Sequence, residues 1–352
     1  MADHVTRGDH RPAPMDLTLS PDVSEQPPTR PLTELILGRL GGPRWLWITI
    51  WALVPLVSPI VVGITVAVSR PLLQPSELVD LAATQVGLAW ACLIFLWGGA
   101  SLGRHASSLR VDLPRMTAGD ESATDLFRGV GEARGPLIVT AAIAALVSAN
   151  TLGEYGPLAA TVALAPLVVY MLPIATFVWV DLVILVDLNR LGRSQLVLDR
   201  FPEDRTLGLD RLGTVASTGL GLLLVAALPI FIAGSDEPVT LALSLTVMAL
   251  TVASFMAAMW GLHRQMAGAK ARYVAVARGL YADAYAPLRE QTTIEVLEAR
   301  STLLSTAQAL EERASGLMTW PLDEGTLRFV VVMVTGIVTG VIVRAVFAAL
   351  GF

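Results

Sequence analysis

Seven apolar stretches divide this chain, at about 46–68, 81–103, 137–153, 157–180, 212–234, 239–261 and 329–350. Its basic residues fall into alternate gaps between them. The tail 1–44 and the gaps 104–136, 181–211 and 262–328 hold 23 of the 25 Lys and Arg residues. Of the other two, Arg70 lies in an opposite gap and Arg344 inside the seventh stretch. A hydrocarbon core of about 30 Å needs about 20 apolar residues as a helix, and loops rich in Lys and Arg stay on the cytoplasmic side. The pattern predicts an all-α polytopic membrane bundle of seven transmembrane helices, N-terminus inside and C-terminus outside, with cytoplasmic helical extensions.

Composition agrees: mean hydropathy is +0.62, and 16% of residues are charged, where a soluble domain is nearer a quarter. The expected partner is a lipid bilayer, and the expected location a cell membrane, the bacterial inner membrane if the resemblance given below holds. No gap is basic enough to suggest nucleic acid. Residues 1 to about 30 lack an apolar run and contain five prolines, so they read as a disordered cytoplasmic tail rather than a cleavable signal. Thr33–Leu40 can form a short interfacial helix, with Leu32, Leu35, Ile36 and Leu40 on one face, before Gly41-Gly42-Pro43 breaks it. The division is therefore a tail, 1–44; a six-helix bundle, 45–261, with cytoplasmic loops 104–136 and 181–211; a cytoplasmic helical segment, 262–328; and a last membrane helix, 329–352.

Two details of this layout stay open. The segment 137–180 is either two spans joined by a tight outside turn or a re-entrant hairpin. The fourth stretch continues without a breaker to Gly192 and carries Asp181 and Asp187 near its inner end. They are either intramembrane carboxylates in an ion or proton path, or interfacial residues paired with nearby arginines. In 262–328 one helix should run on from the sixth span until Pro287 ends it. A second, from about Leu288 to Gly316, carries Val296, Leu303, Leu310 and Leu317 at seven-residue spacing, with Ala307 and Ala314 beside them, a stripe for packing within the chain or for a partner.

Catalytic groups are sparse. Among the four histidines, His105 and His263 share one membrane depth but have no metal-ligand neighbour at helical spacing. Cys92 is mid-membrane and reads as a small core residue. No cofactor and no enzymatic activity are expected. Gly99/Gly103 and Gly336/Gly340 are G-x-x-x-G pairs, which let helix backbones approach closely. Gly336, Thr339 and Gly340 form a small, weakly polar stripe suited to helix contact or to the lining of a narrow pore. Arg344, a charge within the same span, must snorkel, pair or face water. Prolines 55, 59, 166, 173 and 229 permit kinks or hinges. In the loop before the fifth span, Glu203, Asp204 and Asp210 can pair with Arg200, Arg205 and Arg211 and cap the next helix. Alternatively, those arginines can bind an anion.

Two stretches carry a resemblance. Arg200-Phe-Pro-Glu-Asp-Arg-Thr-Leu-Gly-Leu-Asp-Arg-Leu-Gly213 and Thr319-Trp-Pro-Leu-Asp323 resemble a loop and a pre-helix turn of an uncharacterised bacterial family of multi-pass membrane proteins. This implies class and topology only. The topology alone is similar to that of insect chemoreceptor-type channels, whose last helix lines a tetrameric pore. The expectation is a channel- or transporter-like protein, possible as a homo-oligomer, for an ion or small molecule. The alternative is a membrane scaffold or sensor that binds a partner through its cytoplasmic helices.

Overall fold

A computed structural model describes residues 30–67, 75–117, 125–155, 157–198, 204–233, 238–290, 294–322 and 324–349. These form nine α-helices and no strand: α1 Leu32–Arg39, α2 Arg44–Ala67, α3 Pro75–Met116, α4 Arg134–Tyr155, α5 Pro157–Leu191, α6 Asp210–Ala233, α7 Pro238–Glu290, α8 Ile294–Ser315 and α9 Glu324–Ala349. Within the described residues, four helices are long and apolar enough to cross a membrane, and five if the bent pair α1–α2 counts as one span. Large apolar side chains such as Trp97, Ile138, Leu146 and Leu250 face outward. A water-facing surface would not carry so many, whereas a lipid-facing one does.

The hub is α5, which packs on α2, α3, α4, α6 and α7, while α9 lies outside against α6. The core is apolar, built from Leu102 and Leu109 of α3, Phe177 and Ile184 of α5, Leu212 and Leu220 of α6, and Met259 and Leu262 of α7. Cys92 belongs to it, fully buried, with its thiol 3.2 Å from the Tyr170 carbonyl oxygen.

A proline in a helix leaves the carbonyl four residues earlier without its N–H partner. Three such carbonyls are recaptured here. Pro173 frees Val169, whose oxygen accepts from the Trp51 indole at 2.6 Å. Pro229 frees Val225, which accepts from the Trp90 indole at 2.9 Å. Pro59 frees Pro55, which accepts from the Ser58 hydroxyl at 3.0 Å. The kinks at Pro173 and Pro229 are therefore fastened to neighbouring helices, which argues against free hinges at those points.

Several boundaries differ from expectation. The gap 104–136 does not open as a loop, because α3 continues to Met116. The chain then returns through a 3₁₀ turn at Arg128–Gly131 that presses onto α5. Pro287 does not end α7. One further turn follows to Glu290, since proline there removes a single N–H bond. On α1 the residues turned into the protein are Thr33 and Leu37, while Leu35 and Leu40 are exposed. The reason is contact with α3, where Pro31 packs directly over Gly103. The break at Gly41-Gly42-Pro43 bends α1 against α2 by 118°, with Gly42 at φ +97°, a conformation that favours glycine.

Candidate functional site

At the end of α5 the chain turns at Gly192 and lies across α7. The backbones touch: a Cβ added at Gly192 would lie 2.8 Å from the Gly261 Cα. Only paired glycines permit that approach. Gln265, one turn further along α7, then staples the connection. Its amide donates to the Gly192 oxygen at 2.7 Å and the Ser194 oxygen at 2.6 Å, and its side-chain oxygen accepts from the Leu196 N–H at 3.2 Å. On the other side the Val197 N–H donates to the Met116 oxygen at 2.8 Å.

This fixed connection and α7 enclose an open groove of about 1100 Å³. Arg193, Arg264 and Arg272 line it, with Asn189, Ser194 and Gln195, and no carboxylate is among its described lining residues. Arg44, Arg128, Arg190, Arg211 and Arg278 pair with Glu34, Asp125, Asp187, Asp112 and Glu311. Among the described residues no such ion pair includes Arg193, Arg264 or Arg272. Trp260 lines the groove as well and is more than half exposed. It also flanks His263, which stacks on Trp320 at 4.2 Å, and the His263 ring nitrogen lies 2.7 Å from the Thr319 oxygen. With a carbonyl as partner, that nitrogen carries the proton.

These arginines escape the sequence reading, which looked for an anion site at Arg200, Arg205 and Arg211. Arg211 is taken by Asp112 at 2.5 Å, and Arg200 and Glu203 lie outside the described residues. The available signal was the spacing Gly261, Arg264, Gln265, Gly268, Arg272, which puts small and basic residues on one face of α7.

Asp204 organises its own loop. Its carboxylate accepts from the Thr206 N–H, the Thr206 hydroxyl and the Gly208 N–H at 2.8–2.9 Å. Burial alone would raise its pKa, but these three bonds outweigh burial and hold it below the ordinary carboxylate value. They also hold Leu207 at φ 55°, and Leu207 and Leu209 are fully buried. Arg205 contributes its carbonyl, which accepts from the Met318 N–H at 2.8 Å. Gly213 lies directly against the Pro321 carbonyl. The loop 204–209 before α6 and the turn 317–322 before α9 thus meet.

The carboxylates of α5 differ from each other. Asp187 accepts from the Phe127 N–H at 2.7 Å and pairs with Arg190 at 3.4 Å, so it anchors the 3₁₀ turn. Asp181 is buried, its Oδ1 has no hydrogen-bond partner among the described residues, and it packs directly on Gly219 of α6. On α9, Thr335, Gly336, Thr339 and Gly340 are exposed, and a Cβ added at Gly336 or Gly340 would meet nothing within 4 Å. The Gly99/Gly103 pair instead packs within the chain, against Phe177 and Pro31. Arg344 lies within α9, and its side chain falls outside the description. Among the described residues no three His, Cys, Asp or Glu side chains gather as metal ligands. No known protein family, curated protein or solved structure matches the chain.

Proposed function

We propose that the protein is a seven-span membrane protein, N-terminus inside and C-terminus outside, that acts as a scaffold or sensor through its cytoplasmic face. The observation that carries this reading is α7. At 53 residues it is about 80 Å long at 1.5 Å per residue, whereas a bilayer core takes about 30 Å. Its remainder projects beyond the membrane, and α8 folds back along it, burying Ala307, Ala314 and Leu317. Arg278 of α7 pairs with Glu311 of α8 at 3.0 Å, and the Lys270 ammonium donates to the Ser315 and Leu317 oxygens. One rigid rod therefore joins the bundle to a helical platform. The half-exposed Leu303 and Leu310 leave that platform a surface for a partner. No catalytic chemistry is assigned.

Topology is tested with single cysteines in oriented vesicles, since buried Cys92 gives little background. An impermeant maleimide should reach Ser301→Cys only from the cytoplasmic side and Leu152→Cys only from outside. Labelling of Ser301→Cys from outside overturns the orientation, and an unreachable Leu152→Cys supports a re-entrant hairpin. For the function, a cytoplasmic partner should be held by the full chain and lost when 294–315 is deleted. A folded deletion variant that keeps every partner rejects the scaffold reading.

A second reading rests on a separate observation, the open Thr335/Gly336/Thr339/Gly340 face of α9. Stacked around an axis, it would line a narrow path for an ion or small molecule. Flux across reconstituted liposomes by an oligomeric protein supports it, and a monomer without flux excludes it.

A further inference from the structure

We propose that the groove between the α5–α6 connection and α7 binds a phosphate-bearing anion, and that its source is the headgroup of an acidic phospholipid in the cytoplasmic leaflet. The choice of leaflet rests on the orientation proposed above, whereas the groove's chemistry does not. Three exposed arginines, Arg193, Arg264 and Arg272, line a groove whose described lining holds no acid. Uncompensated guanidinium groups facing one cavity favour an anion, and their planar forks match the paired oxygens of a phosphate.

The groove is built rather than incidental. Gln265 commits both ends of its amide to the connection, and the Gly192–Gly261 contact fixes the floor. The backbone on either side of Arg193 is thereby fixed across α7, and among the described residues Arg193 has no ion pair.

The direction of the groove selects a lipid. Ala257, Trp260, Arg264 and Arg272 follow one another along α7, and all line the groove. From Ala257 to Arg272 is about 22 Å at 1.5 Å per residue. Over that distance the α7 side of the groove passes from Ala257 and Trp260 to Arg264 and Arg272, an order that suits an acyl chain followed by a phosphate. Trp260, more than half exposed, is the residue type that settles at headgroup depth. Basic pockets at the cytoplasmic ends of membrane helices suit acidic headgroups. The volume, about 1100 Å³, exceeds one phosphate and admits a headgroup with part of its glycerol and chains.

The test uses the full chain in phosphatidylcholine nanodiscs, with and without phosphatidylglycerol, read by native mass spectrometry and thermal unfolding. Phosphatidylglycerol should remain bound through extraction and raise the unfolding temperature. The apparent affinity should fall about tenfold or more in Arg264→Ala/Arg272→Ala and should weaken with added salt. Arg300→Ala/Arg313→Ala, which removes the same charge from α8, should leave it unchanged. Arg264→Lys/Arg272→Lys keeps the charge and guards against misfolding; loss of affinity there shows that the forks matter. Equal retention in the groove and α8 variants overturns the site. A shift of the same size from glycerol 3-phosphate in neutral discs, dependent on the same arginines, overturns the lipid as its source. Nanodiscs expose both faces, so these outcomes are independent of the vesicle labelling that tests orientation.

Discussion

At the residue scale, the tryptophans that face the proline kinks show how polar backbone survives in an apolar medium. A carbonyl freed by proline has no water to turn to in hydrocarbon, and leaving it unpaired costs about 1–3 kcal/mol. Trp51 and Trp90 supply the missing donors to Val169 and Val225. Replacing either by Phe keeps an aromatic ring and deletes the N–H. We predict that Trp51→Phe and Trp90→Phe each lower stability by about 1–2 kcal/mol, measured by unfolding in detergent. The loss should disappear when the matching proline, Pro173 or Pro229, is changed to Ala, because the helix then supplies its own N–H. Losses that persist in the Pro→Ala background would mean that the rings act by packing alone. Asp204, which lies outside the candidate spans, permits a pH prediction. Its folded pKa lies below the ordinary value of about 3.9. Its contribution is therefore complete above that unfolded value and is lost as pH falls through the lower folded one. Unfolding temperatures of the protein and of Asp204→Asn should differ most at neutral pH and converge below about pH 4. A constant difference across that range would remove the carboxylate's charge from the account.

At the element scale, close approaches decide the packing. Gly219 lets α6 settle directly on Asp181 of α5, leaving no room for a Cβ. Gly219→Ala should therefore cost about 1–3 kcal/mol by overpacking, and the cost should shrink in an Asp181→Ala background, where the opposing oxygens are gone. Unfolding of the two single variants and the double variant gives the coupling; strict additivity would show that the two residues do not meet. Much of the helical layout was legible in the sequence because it is local. Apolar runs, the Gly41-Gly42-Pro43 break and the unbroken run to Leu191 need only neighbours along the chain. The groove was not, because Arg193 and Arg264 lie on separate segments brought together by Gly192 meeting Gly261 and by the Gln265 bonds. The Trp51–Val169 bond spans 118 residues and depends on the relative height of α2 and α5, which no periodicity encodes. The loop before α6 and the turn before α9 could be read singly, but not their meeting at Met318–Arg205 and Pro321–Gly213. Along the expected stripe of α8, Ala307, Ala314 and Leu317 turn inward, Leu303 and Leu310 stay about half exposed, and the Val296 side chain lies outside the described residues. The small alanines permit the close approach to α7, and the larger leucines are carried to the margin.

At the scale of the whole molecule, the helices are unevenly satisfied. The core joins α3, α5, α6 and α7, whereas α9 leans on α6 alone among the stronger contacts. Phe329 reaches Gly221, and Val330 is buried, but further along α9 a Cβ added at Gly336 or Gly340 would meet no atom of the described residues within 4 Å. A G-x-x-x-G face in lipid gains most when a second backbone lies against it, because packing rather than the hydrophobic effect drives helix association there. If copies associate through α9, Gly336→Leu and Gly340→Leu should dissociate them. The same substitutions should leave the unfolding of the separated chain within about 0.5 kcal/mol, because they enter open space. Mass measurement in mild detergent gives the first quantity and unfolding of the dissociated chain the second. A protein that is already monomeric, or variants that keep their assembly, would assign this face to lipid and remove the support for a pore on the α9 axis. A variant that stays folded but loses both assembly and flux would identify α9 as the element through which copies act together.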